Sequence, residues 1–82
     1  MSVEGRRYEE AILSLLSRRA EGLTICPSEA ARVVDPQNWR GAMFLAHEAA
    51  RSLARSGAVV LTQKGVVVAT DAIQGVYRIR KA

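Results

Sequence analysis

The apolar residues of this chain change their spacing once, at Gly57, and that change constrains the fold more than any other feature. Before Gly57 they recur with a helical period; after it they form β-branched runs with a period of two. Helices followed by a small set of strands specify an α+β arrangement. At 82 residues and 8.9 kDa the chain has room for a single domain, 1–82, and none for a separate cofactor domain. With 49% hydrophobic and 24% charged residues it is too apolar to stay disordered. Four aromatics (Tyr8, Trp39, Phe44, Tyr77) leave the core to Leu, Ile, Val and thirteen alanines, so a thin core is expected, of modest stability or completed by a second subunit.

Ala11, Ile12, Leu15 and Leu16 make one stripe with Tyr8, predicting a first helix over 4–19 that Gly22 brings to an end. Leu23, Thr24 and Ile25 suit only a short extended piece. Cys26, Pro27, Ser28 and Glu29 then form a helix start, with cysteine in the cap position, proline first and glutamate third, predicting a second helix over 27–34. Asp35 and Pro36 repeat the start signal just past the expected end of that helix, so a third helix is expected over 36–55, with Gly57 as its stop. Its apolar face would carry Trp39, Ala42, Met43, Ala46, Ala49, Ala50, Leu53 and Ala54. The opposite face would carry Arg40, Phe44, His47, Glu48, Arg51, Ser52 and Arg55.

Runs at 59–62 and 66–69, joined through Gln63, Lys64 and Gly65, read as a β-hairpin with glycine in the tight turn. A last run over 76–80 sets Tyr77 and Ile79 on one face and Arg78 and Arg80 on the other. Helix, short strand, helix, turn, helix and hairpin is the order of a winged helix, with three helices and a small antiparallel sheet. In that fold the third helix can enter a major groove about 12 Å wide while the hairpin touches the flanking backbone.

The net charge of +4 is uneven: residues 1–39 sum to −1 and residues 40–82 to +5. A basic second half suits an anionic partner, nucleic acid being the commonest. Arg40, Arg51 and Arg55 fall within about 60° on a helical wheel, Lys64 sits at the wing tip, and Arg78 and Arg80 add cations on the last strand. These six are the candidate nucleic-acid contacts, to duplex DNA. The bland reading is a solvated basic face, and Glu48 in its midst favours that reading because a carboxylate repels phosphate. Phe44 and Val66 are candidate contacts for a protein partner or a second copy, the alternative to DNA binding; for Phe44 the preferred reading is packing under the wing or the N-terminus, with a partner protein or a thymine methyl as the alternatives.

Catalysis and metal binding find little support. One cysteine makes neither an internal disulfide nor a tetrahedral zinc site, and the single histidine, His47, adds at most one ligand. His47 is expected to be a solvated side chain, Cys26 a structural cap and Trp39 a core residue. With no paired carboxylates in a recognisable setting and no phosphate loop, neither enzyme activity nor a cofactor or metal is expected. The charged segment 1–7 lacks a signal-peptide pattern, and no apolar run approaches ~18 residues. A soluble cytoplasmic domain without membrane contact is the expectation.

Thr24 to Glu29, Ala31 and Arg32, then Trp39 and Arg40, then Thr62 to Gly65, and finally Gly75 and Arg78 resemble the signature of a bacterial family called domain of unknown function 3253. The resemblance spans nearly the whole chain, Thr-Ile-Cys-Pro-Ser-Glu being its most specific part. It implies a winged helix and assigns no biochemical role. The chain departs from the pattern at the wing. Val66 stands where a basic or polar residue is frequent, Val67, Ala69 and Thr70 replace a proline, aspartate, proline pattern, and Val76 stands where proline is usual.

Overall fold

The computed structural model describes residues 3–82. Three α-helices and four strands follow in the order α1 (Val3–Ser17), β1 (Thr24–Ile25), α2 (Pro27–Val34), α3 (Met43–Arg55), β2 (Val59–Gln63), β3 (Val66–Val68) and β4 (Arg78–Lys81). A single 3-10 turn, Thr70–Ala72, precedes β4. This is an α+β fold whose element order is consistent with the winged helix expected. No helix among the described residues is long and apolar enough to cross a membrane.

Tyr8, Ala11, Ile12 and Leu16 form the buried stripe of α1, as the period requires. The helix ends two residues earlier than expected. The amides of Arg18 and Arg19 reach back only three residues, to Leu15 and Leu16, and Gly22 then takes φ +86°. In α2 the Glu29 carboxylate accepts the Cys26 backbone N–H at 2.7 Å, the reciprocal half of the expected capping box, and it also pairs with Arg19.

The third helix is the main correction: it begins at Met43, seven residues later than its sequence signal. Asp35 does start a turn, its Oδ1 and its carbonyl both accepting from the Asn38 N–H at 3.2 Å. The turn does not propagate. Asn38 and Gly41 are poor helix formers, and the Ala42 amide divides itself between the carbonyls of Asn38 and Trp39. Residues 36–42 are therefore a chain of turns.

The sheet order is β1-β4-β2-β3, antiparallel throughout. The expected hairpin joins β2 to β3 in the register Leu61 to Val68 and Gln63 to Val66. Lys64 and Gly65 both have positive φ, 53° and 80°, which fits a two-residue turn whose backbone matches strand twist. The last strand crosses to the other side of β2, so β4 is central and β3 is an edge. Tyr77 and Ile79 point inward, as the alternation predicts. With Ile25, Val59 and Leu61 they meet Tyr8, Ile12, Leu16 and Leu53 in the core. Fully buried Ala30, Ala31, Ala46 and Ala50, none above 0% exposed, let the helices approach closely where larger residues would hold them apart.

Candidate nucleic-acid interface

On α3 the inward face is Ala46, Ala49, Ala50 and Leu53, so geometry turns Phe44, Glu48, Arg51 and Arg55 outward. Phe44 is 61% exposed, which overturns the packing of this ring under the wing. Arg55 is exposed and Arg51 half-buried; both line a groove of about 490 Å3 with Glu48, Ser52, Leu45 and Gly5 of α1. Arg40 is not on this helix at all. It precedes α3 in the turn segment, and its guanidinium lies over the ring of Trp39. The continuous three-arginine stripe expected from the wheel is thus reduced to Arg51 and Arg55, with Arg40 ahead of it. Lys64 sits exposed at the β2–β3 turn.

Arg78 and Arg80 belong elsewhere. They alternate with the buried Tyr77 and Ile79, so they occupy the sheet face turned away from the core. There Arg78 donates to the Thr24 hydroxyl at 2.9 Å and to the Thr24 carbonyl at 3.4 Å, fastening β4 to β1. Val66, 64% exposed, and Val67, 51%, lie on the edge strand. Among the described residues the ion pairs are Arg7 with Glu4 and Arg19 with Glu29, so Arg40, Arg51, Arg55, Lys64 and Arg80 have no carboxylate partner.

Three side chains take places that the pattern did not reveal. His47 is not a solvated side chain: its Nδ1 shares a 2.6 Å hydrogen bond with the Tyr77 hydroxyl. Burial, and secondarily the Arg51 cation, push its pKa below 6.5, so the ring is neutral at pH 7. Burial pushes Tyr77 up to about 12. Gln63 Nε2 donates to the carbonyls of Gln74 at 2.6 Å and Val76 at 2.9 Å, tying the loop before β4 to the hairpin. Trp39, expected in the core, is only half-buried and packs at its edge.

A second, smaller cleft of about 280 Å3 brings Cys26, Met43, His47, Val76 and Tyr77 together. Cys26 and His47 therefore line the same cleft, although the sequence set them apart. They do not bond each other: the sulfur of Cys26 accepts from Ser28 Oγ at 3.1 Å, and the imidazole is engaged by Tyr77. No group of three or more His, Cys, Asp or Glu able to hold a metal occurs among the described residues.

The class these features define is a small α+β domain with a cationic helix face. Residues 5–82 match the family model "Protein of unknown function (DUF3253)", and the chain belongs to that family. No curated protein matches the chain.

Proposed function

We propose that this chain is a winged-helix module that binds duplex DNA and serves a regulatory role, with no catalysis of its own, in a reducing compartment such as the cytoplasm. The observation that carries this reading is a set of cations without carboxylate partners among the described residues: Arg51 and Arg55 on the outward face of α3, Arg40 in the turns ahead of that helix and Lys64 on the hairpin. A helix of 13 residues, about 20 Å long, fits a major groove, and cations on its exposed side displace counterions from the phosphates. Arg78 and Arg80, on the sheet's outer face, are left out of this contact. Glu48 beside Arg51 repels phosphate and narrows the footprint to a few contacts.

Fluorescence anisotropy of a labelled duplex tests the reading. Binding at low salt with a log-log salt slope of about −3 to −4 is expected for three or four phosphate contacts. A slope near zero, or no binding at low salt, removes it.

A second reading has its own support, in the exposed Phe44, Val66, Val67 and Val76. A protein-interaction or dimerisation module would cover such side chains. Sedimentation of the native chain beside Phe44→Arg discriminates: a concentration-dependent dimer that the substitution dissolves favours self-association. Monomers in both samples argue against self-association through Phe44.

A further inference from the structure

Two guanidinium groups lie over one indole ring in the segment that leads from α2 to α3. The guanidinium carbon of Arg32, in the last turn of α2, is 4.2 Å from the ring centroid of Trp39, and that of Arg40 is 4.4 Å. Both arginines are exposed, and neither has an acidic partner among the described residues. A guanidinium over an aromatic face is held by the ring quadrupole and keeps its N–H donors available at its rim. The two charges also sit within one Debye length of each other, ~10 Å at about 0.1 M salt. An anion that reaches both rims is attracted twice and relieves their mutual repulsion.

We infer that Arg32, Trp39 and Arg40 form a clamp for phosphate oxygens, the partner being the phosphodiester backbone of a nucleic acid. The anion chemistry stands on these three residues; the identity of the partner rests on the nucleic-acid reading above. Guanidinium N–H pairs match phosphate oxygens in geometry, which a lysine ammonium does not. The indole is already occupied by its own cations, so it acts as a platform for them and not as a stacking surface for a base. Shortly after the clamp, at Met43, comes the N-terminal end of α3, whose dipole favours the same sign of ligand. The Arg32 contribution is invisible in a wheel drawn for a single helix, because it comes from the preceding one.

Trp39 is the only tryptophan in the chain, so its emission reports on this site alone. The full chain is titrated with pyrophosphate, and separately with a labelled duplex whose anisotropy is read in parallel. A saturable change in Trp39 emission with both probes is expected, tracking the anisotropy in the duplex arm. Arg32→Gln and Arg40→Gln should each weaken duplex binding about tenfold at ~50 mM salt and make the salt slope shallower by about one. Arg32→Lys should restore the slope but not the affinity, because charge returns without the planar fork. Trp39→Phe, with both cations intact, should weaken binding less than either glutamine variant. Circular dichroism checks that each variant is folded.

The outcomes separate the two levels of the reading. Duplex binding by anisotropy, with Trp39 emission and the glutamine variants unchanged, overturns the clamp and leaves the nucleic-acid reading standing. A saturable pyrophosphate response lost in Arg32→Gln, without duplex binding, keeps the anion clamp and removes the nucleic acid as its partner. No emission change with either anion overturns the clamp outright.

Discussion

The Tyr77 hydroxyl connects the core to the smaller cleft, and Tyr77→Phe removes it without changing the shape of the ring. At pH 7 the loss is one hydrogen bond, 2.6 Å long, to His47 Nδ1. His47 is only half-buried, so water can replace the lost partner and the cost is about 1 kcal/mol. Alkaline pH reverses the comparison. Tyr77 is 4% exposed, and burial raises its pKa from 10.0 to about 12. Above pH 10 the unfolded chain releases this proton while the folded one keeps it, so the native protein loses stability as pH rises through that window. By pH 11 the loss amounts to about 1.4 kcal/mol, and the phenylalanine variant is spared it. Tyr8, whose pKa is also raised, chiefly by burial, is common to both proteins and cancels in the difference.

Urea unfolding followed by circular dichroism from pH 7 to 11 measures both curves. The variant should start about 1 M lower in midpoint, and the two curves should cross between about pH 10 and 11. A gap that stays constant across the whole range would refute the buried, proton-retaining phenol.

Three further outcomes follow from the same geometry. Glu29→Ala removes both the acceptor of the Cys26 amide and the partner of Arg19; it should cost about 1 to 2 kcal/mol in urea unfolding, against a smaller loss for Glu29→Gln. Ile79→Ala opens a hole at a residue that is 0% exposed in the central strand, and should cost about 3 kcal/mol or more in thermal or urea unfolding, a large share of what so small a domain has. On the acid side, His47 takes its proton at a lower pH in the folded chain than in the unfolded one, so its contribution is present above pH 6.5 and is lost as pH falls below that value. Replacing it with glutamine should flatten this part of the stability profile.

Several local features could be read directly from residue order. Pro27–Val34 is a helix over the span its capping signal indicates, because the signal acts within one turn. Lys64 and Gly65 make the tight turn, and Tyr77 and Ile79 face inward, because turn chemistry and alternation are properties of adjacent residues. The start of the third helix is not legible in residue order, because Asp35 and Pro36 do form a turn and nothing in a start signal says whether the next turn will propagate. The late start of α3 leaves Arg40 in the preceding turns, beside Trp39.

Residue order by itself determined the class of this protein, the division at Gly57, the boundaries of α2, the hairpin and the excess of positive charge. Tertiary structure alone decided where the charges went. It stacked Arg32 and Arg40 over Trp39, put Arg78 and Arg80 on the far side of the sheet, and closed His47 onto Tyr77 across thirty residues of chain. The physical reason is range: periodicity, capping and turns arise between near neighbours, whereas these side-chain contacts exist only once packing has brought separate elements together.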